Sequence, residues 1–256
     1  HQAVADIGLF ANFISRRFLE APVIIFGRGY GGSLAVWARQ KYPNIIDGAF
    51  ASSAPLNAIL EDHEFLRNIQ RTYTQIGGPE CGQIVADAFQ MIEEAFDAGN
   101  MSHVESRLRL CNPLDTGNSY DLARMLYTIS QDIGLNAVGN ARYPEIDEKC
   151  IIMRGLDRPG EPPADALDAF ARWYNDDFRR ERECLLVNND EIVRSFQETR
   201  WDMDITRSGE RQALWLQCTQ RGSFGTAGDG HGHPFGTRFD LRFIQRWCAD
   251  AFGDDM

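Results

Sequence analysis

The residues around Gly29 form the part of the chain whose pattern indicates nucleophilic catalysis most directly. Residues 23–26 are a short run of apolar strand-forming residues, residues 27–32 are rich in glycine, and residues 33–41 predict a helix that ends before a proline. A strand, a sharp glycine turn and a helix make a nucleophile elbow, written G-x-S-x-G, whose central serine attacks a carbonyl carbon. In this chain the pattern reads Gly27-Arg28-Gly29-Tyr30-Gly31. The glycines of the elbow are present, but glycine also stands at the position of the nucleophile.

Gly29 has no side chain with which to attack a substrate. Removing a serine nucleophile costs on the order of 10⁶ in kcat where this has been measured. The backbone N–H of Tyr30 would still offer half of an oxyanion hole. Three nearby serines do not replace the nucleophile, because Ser33 lies a turn into the predicted helix and Ser52 and Ser53 lie at the end of a predicted strand. We interpret all three as structural residues.

The residues at the elbow also suggest why glycine is tolerated there and what else the turn can do. The central residue of an elbow has a positive φ, which strains a non-glycine residue by about 1–3 kcal/mol. Glycine at position 29 removes that strain. Arg28 places a cation at the rim of the expected pocket. It is either an ordinary solvated arginine or a group that captures a carboxylate, such as a peptide C-terminus.

A longer run of residues resembles one enzyme family. Three motifs follow one another in the order Tyr30-Gly31-Gly32, Lys41-Tyr42-Pro43 and Ala51-Ser52-Ser53-Ala54-Pro55. This run resembles the serine exopeptidases of the prolyl carboxypeptidase and dipeptidyl peptidase II type, a group that includes proteins similar to lysosomal Pro-X carboxypeptidase and thymus-specific serine protease. Sparser matches follow at residues 110–114, 215–219, 248 and 252–253. The resemblance implies an α/β fold, with a partial α/β-hydrolase core and an inserted, disulfide-linked helical cap domain.

The hydrophobic pattern agrees with two kinds of structure along the chain. Helix, strand, helix and strand alternate up to about residue 58, which favours a parallel sheet covered by helices. Long amphipathic stretches then follow without a comparable strand. We therefore expect part of the hydrolase core with the elbow in residues 1–58, a helical cap in residues 59–215, and a segment returning from cap to core in residues 216–256. In the family, the triad Asp and His lie beyond the last match, so we expect them outside this sequence, which resembles the middle of a longer protein.

Six cysteines and one sequon indicate an oxidising compartment. None of the cysteines forms C-x-x-C, and six cysteines allow 15 pairings. The resemblance implies the pairs Cys81–Cys150, Cys111–Cys184 and Cys218–Cys248. Asn100-Met101-Ser102 is a glycosylation sequon. Together these features predict a secreted protein or one in the lumen of lysosomes or the endomembrane system.

Other features restrict the ligands. The formal net charge of −11 argues against nucleic acid, and no apolar stretch approaches the roughly 20 residues of a membrane span. His231 and His233, with Asp229 nearby, suggest a metal loop, but no third strong ligand has suitable spacing, so we expect a flexible loop, no metal and no cofactor. In the family that this chain resembles, an acidic residue stands where this chain has Gln220, at the expected rim of the pocket. This is a second departure from the pattern of an active enzyme.

These observations predict a non-catalytic homologue of a secreted or lysosomal serine exopeptidase with a binding or structural role. One alternative is an active prolyl carboxypeptidase or dipeptidyl peptidase seen as a fragment or as a variant at Gly29. Another is a storage or assembly component. A peptide or protein is the expected ligand. A sheet cut on both sides of its central strands exposes its edges, so the segment is expected to need the rest of its own chain or a partner chain, with a homo-oligomer as one possibility.

Overall fold

The structure is a computed structural model that describes residues 2–18, 21–57, 59–139, 145–178, 183–228, 230 and 232–253. The chain divides into two compact units, His1–Ile59 and Leu60–Met256. Across the described residues the fold is mostly helical, with a small parallel sheet in the first unit. This arrangement agrees with a partial α/β fold.

The first unit has the order helix, strand, helix, strand. Its elements are α1 (Gln2–Arg17), β1 (Ile24–Arg28), α2 (Tyr30–Lys41) and β2 (Gly48–Ser52). The two strands pair in parallel, with Ile24 opposite Gly48 and Arg28 opposite Ser52. Helix α2 packs on both strands and against α1. A small apolar core forms between them from Val4, Ala11, Ala38 and Ile46.

Strand β2 begins later than the sequence pattern suggests. The apolar residues predict a strand from residue 45, but Ile45 and Ile46 both donate their backbone N–H groups to the carbonyl oxygen of Tyr42, at 3.1 and 3.0 Å. Those bonds close a turn after α2, so the ladder with β1 starts only at Gly48.

The second unit is built from helices. They are α3 (His63–Ile76), α4 (Pro79–Asp97), α5 (Ser102–Leu108), α6 (Ser119–Gly139), α7 (Glu145–Met153), α8 (Ala166–Phe178), α9 (Asn189–Gln197), α10 (Asp204–Arg207), α11 (Glu210–Leu216) and α12 (Leu241–Phe252). A π-helical segment, Gln217–Arg221, follows α11 directly. Side chains fix several helix starts, since Asp62, Asn188 and Asp240 each accept the backbone N–H three residues later.

Aromatic side chains fill the core of the second unit. Phe89 of α4 meets Phe170 of α8 and Phe235 edge-on, at centroid distances of 6.0 and 5.1 Å. Trp173 is fully buried beside Phe170 and Tyr73. Edge-on aromatic pairs add about 0.5–1.5 kcal/mol each beyond the area that they bury. Together with the tilted contact of Tyr73 and Trp173, they join α3, α4 and α8 into one core.

Three disulfides cross-link the second unit. They join Cys81 to Cys150, Cys111 to Cys184 and Cys218 to Cys248. These are the pairs that the resemblance implies. The first two close long loops of 69 and 73 residues, and the third ties the π-helical segment to α12 across 30 residues.

Within the described part of the chain, none of the helices combines the length and the apolar character needed to cross a membrane.

Candidate functional site

The turn at Gly29 has the backbone geometry of an elbow. Gly29 has φ 54° and ψ −129°, a combination that costs a non-glycine residue strain. Its N–H donates to the carbonyl oxygen of Ser52 at 2.9 Å, which fastens the turn to the end of β2. Its carbonyl oxygen accepts the N–H groups of Gly32 and Ser33, at 3.0 and 3.2 Å. The turn is therefore fixed on both sides, by the sheet and by the start of α2.

The glycines of the elbow serve different purposes. A β-carbon on Gly27 would lie 2.1 Å from the carbonyl oxygen of Gly31, and one on Gly32 would lie 2.9 Å from the Cβ of Ala54. Both positions need glycine because the chain passes too closely for a side chain. A β-carbon on Gly29 would meet nothing within 4 Å. Position 29 thus has room for a side chain, and only its backbone conformation favours glycine.

Tyr30 begins α2, so its backbone N–H has no carbonyl four residues earlier in the same helix. In an elbow this N–H lies next to the nucleophile position and is the donor to a developing oxyanion. The Tyr30 ring contacts Trp37 edge-on, at a centroid distance of 6.3 Å, which holds the side chain along α2. The N–H of Tyr30 therefore stands where an elbow has its oxyanion donor, and Gly29 offers no side-chain oxygen beside it.

Arg28 is the exposed last residue of β1 and forms no ion pair with any described residue. The strand register sets it opposite Ser52. Its charge is therefore available to a ligand that approaches the strand ends.

The serines near the elbow have structural positions. Ser33 is fully buried, and its hydroxyl donates to the carbonyl oxygen of Pro55 at 2.8 Å. That bond ties α2 to the segment that follows β2. Ser52 belongs to β2, and Ser53 is exposed with φ 50°, a left-handed conformation that ends the strand. The interpretation of Ser33 as a packing residue agrees with its burial.

Gln220 lies in the second unit, on the π-helical segment, so the elbow residues and Gln220 belong to different units. Its side chain is exposed. The segment is held by the Cys218–Cys248 disulfide and by the hydroxyl of Thr219, which donates to the carbonyl oxygen of Trp215 at 2.7 Å. π-Helical turns are rare and are frequent at functional sites, and the sequence pattern gave no indication of this one.

The histidine loop is described only in part, because Asp229 and His231 lie outside the described residues. His233 Nε2 donates to the carbonyl oxygen of Ala227 at 2.8 Å, and its Nδ1 accepts the N–H of Phe235 at 3.2 Å. Both ring nitrogens of His233 are thus engaged by the loop backbone. Among the described residues, no group of three or more metal-binding side chains comes together.

One buried arginine, Arg124, is not revealed by the sequence pattern and holds three helices together. Arg124 of α6 donates from Nε and Nη2 to the side-chain oxygen of Asn189, at 3.2 and 2.9 Å. Its guanidinium lies 3.9 Å from the ring centroid of Trp247 and 4.8 Å from that of Phe243. Burial lowers the pKa of Arg124 to about 10. Arg124 joins α6, α9 and α12 and is a structural group.

Comparison with known proteins gives one family for the whole chain. The family model for serine carboxypeptidase S28 matches residues 1–256. Thymus-specific serine protease is 30% identical in Homo sapiens, over 98% of this chain and 50% of that protein, and 29% identical in Mus musculus, over 91% and 47%. Lysosomal Pro-X carboxypeptidase of Mus musculus is 32% identical over 44% of this chain and 24% of that protein. The chain therefore spans about half the length of the thymus-specific relatives.

Proposed function

Because the chain belongs to the serine carboxypeptidase S28 family, we propose that it is a non-catalytic member with a binding or structural role. One observation carries the proposal, namely glycine at the nucleophile position of a turn that otherwise has elbow geometry. A hydrolase of this type needs a side-chain oxygen at that position for acyl transfer.

The surroundings of Gly29 support loss of the nucleophile without loss of the turn. Neighbouring atoms do not require glycine at position 29, since a β-carbon there has free space. Glycine relieves a backbone strain of about 1–3 kcal/mol that a serine would impose. Once hydrolysis is not needed, glycine at this position stabilises the fold.

The ligand proposed for the elbow is a peptide with a free C-terminal carboxylate. Arg28 is exposed and has no ion pair with the described residues, and the N–H of Tyr30 lies at the start of α2. A guanidinium binds a carboxylate through two parallel hydrogen bonds. A peptide end would thus be held at the turn without being cleaved.

The catalytic part of the proposal is tested with a serine-reactive fluorophosphonate probe and with proline-containing peptide reporters, from acidic to neutral pH. The protein is expected to remain unlabelled at the elbow and to release no product. Lysosomal Pro-X carboxypeptidase serves as the positive control. Turnover that survives purification and stops with a serine-directed inhibitor would contradict the proposal.

The binding part is tested separately by calorimetry with one peptide in its free-acid and amidated forms. The free acid should bind more tightly, and Arg28→Gln should weaken its binding by about tenfold or more. Arg17→Gln, an exposed arginine on α1 in the same unit, is the matched control. Equal affinity for the two peptide forms would show that the peptide carboxylate does not contribute to binding. The conclusion that the protein is non-catalytic would be unaffected.

A secreted or lumenal location is proposed from the three disulfides, which form and persist in oxidising compartments.

Asn100 is exposed between α4 and α5, and its side-chain oxygen accepts the hydroxyl of Ser102 at 2.6 Å. We expect a glycan at Asn100 after expression in a secretory host. Enzymatic removal of N-glycans should lower the mass of the protein, and Asn100→Gln should abolish that shift. An unchanged mass would contradict the glycan.

A further inference from the structure

A polar pocket in the second unit carries four arginines in a chain with a formal net charge of −11. It has a volume of about 310 Å³ and lies among the end of α5, the loop before α8 and one side of α8 from Asp168 to Asp176. The arginines that line it are Arg107, Arg109, Arg158 and Arg172. Clustered guanidinium groups repel one another, so such a group needs either fixed counter-charges or a bound anion.

A buried carboxylate fixes two of these arginines. Asp168 accepts Arg107 Nη1 on Oδ1 at 3.0 Å, and Arg172 Nη2 on Oδ2 at 3.1 Å. Arg172 Nη1 also donates to the carbonyl oxygen of Glu161 at 2.7 Å. Burial alone would raise the pKa of Asp168, but the N–H of Ala164 and the charges of Arg172 and Arg107 more than offset it, and the pKa lies below its usual value. Asp168 therefore remains charged and holds both guanidinium groups in place.

Arg109 is held differently. It ends α5 in a left-handed conformation, φ 53° and ψ 59°, where glycine or asparagine is usual. Its carbonyl oxygen accepts the N–H of Leu185 at 2.9 Å, and Cys111 donates its own N–H to the carbonyl oxygen of Leu185 at 3.0 Å. The Cys111–Cys184 disulfide locks the same short bridge. The backbone thus fixes a strained arginine at the pocket, and that arginine is exposed and has no ion pair with any described residue.

The charges in the pocket favour an anion. Besides Asp168, two carboxylates line it, Glu161 and Asp176, and both are exposed to solvent, which weakens their repulsion of a ligand. Arg107 and Arg172 share Asp168, and Arg158 pairs with Asp157 at 3.3 Å. Of the four lining arginines, Arg109 is therefore the one that has no ion pair with a described residue. Planar guanidinium groups match the oxygens of phosphate and sulfate in bidentate geometry.

We propose that this pocket binds a phosphate or sulfate group. Arg109, which has no ion pair with any described residue, is the anchoring cation, and Asp168 orients Arg107 toward the ligand. The site is distinct from the elbow and does not depend on whether the protein hydrolyses peptides.

The proposal is tested by titrating the protein with inorganic phosphate, sulfate and methyl phosphate at constant ionic strength, with binding followed by calorimetry. Saturable binding is expected. Methyl phosphate stands in for a phosphate group that is carried on a larger molecule, so comparing it with inorganic phosphate separates that kind of ligand from the free ion. If the methyl ester binds as tightly as phosphate, the pocket accepts an ester. If only the free ions bind, the ligand is the ion itself.

Variants assign the binding to the pocket. Arg109→Gly keeps the left-handed backbone without strain and removes the cation, so it should fold and weaken binding by about tenfold or more. Arg207→Ala removes an exposed arginine of the same unit outside the pocket and is the matched control. Absence of saturable binding, or an Arg109→Gly variant with unchanged affinity, would overturn the proposal.

Discussion

Gly27 lies so close to Gly31 that a β-carbon on Gly27 would stand 2.1 Å from the Gly31 carbonyl oxygen. The end of β1 and the first turn of α2 are therefore in backbone contact. A β-carbon on Gly31, in contrast, would meet no atom within 4 Å. A side chain is thus sterically excluded at Gly27 but not at Gly31, and substitutions at the two positions can test this difference.

The first prediction concerns this pair. Gly27→Ala should lower the free energy of unfolding by about 1–3 kcal/mol or more, because the backbone must shift to admit a methyl group. Gly31→Ala should be neutral or stabilising by up to about 1 kcal/mol, since alanine favours helices. Denaturant unfolding of both variants measures the difference. Equal destabilisation by the two would show that the close approach is absent.

A second prediction isolates the strain at position 29. Gly29→Ala and Gly29→Ser should each reduce stability by about 1–3 kcal/mol, because φ 54° and ψ −129° disfavour any β-carbon while the surrounding space is open. The two variants should agree closely, because the hydroxyl adds little to the steric effect. A loss far larger than this range would mean that neighbouring atoms, and not the backbone conformation, exclude a side chain.

The sequence predicts the elbow well because its information is local. Strand-forming residues, glycines and a proline at fixed spacing determine a strand, a turn and a helix within residues 23–43. The helical character of the second unit follows equally from amphipathic periodicity.

The start of β2 and the role of Arg124 depend on contacts that local patterns do not encode. Backbone bonds to Tyr42 delay the strand to Gly48. Arg124 is of a residue type usually found at the surface, and its burial needs aromatic rings and Asn189 brought from distant helices. The arginine pocket also joins residues from the end of α5, the loop before α8 and α8 itself, which come together only through the packing of α5 on α8.

The third prediction tests that buried arginine. Arg124→Lys should lower the free energy of unfolding by about 3 kcal/mol, because an ammonium group cannot reproduce two bonds to Asn189 and the stacking on Trp247. Arg242→Lys, at a side chain that is 91% exposed, should change stability by less than about 0.5 kcal/mol. Chemical denaturation gives both values. Similar small losses for the two variants would contradict the structural role of Arg124.

A fourth prediction follows from the lowered pKa of Asp168. Because the folded-state pKa lies below the ordinary value of 3.8, the folded state binds fewer protons than the unfolded state as this group titrates. The stabilisation is present above pH 3.8 and is lost as the pH falls through the folded-state pKa.

Asp168→Asn should therefore cost about 1–3 kcal/mol near neutral pH and progressively less in acid. Thermal unfolding over a pH series measures the trend, with Asp204→Asn at a largely exposed side chain as the control. A gap between wild type and Asp168→Asn that does not narrow in acid would contradict the ion-pair account.

The last prediction concerns the disulfides. Cys111→Ala with Cys184→Ala opens a loop of 73 residues, and Cys218→Ala with Cys248→Ala opens one of 30. The chain-entropy model assigns about 4.4 kcal/mol to the first cross-link and about 3.6 kcal/mol to the second. The first pair also holds the strained Arg109 beside Leu185. We therefore expect the first double variant to lose more stability and also to weaken phosphate binding, whereas the second leaves that binding unchanged. Non-reducing peptide mapping checks that the cysteines are paired in this way. A Cys81–Cys111 peptide would show these pairs to be wrong.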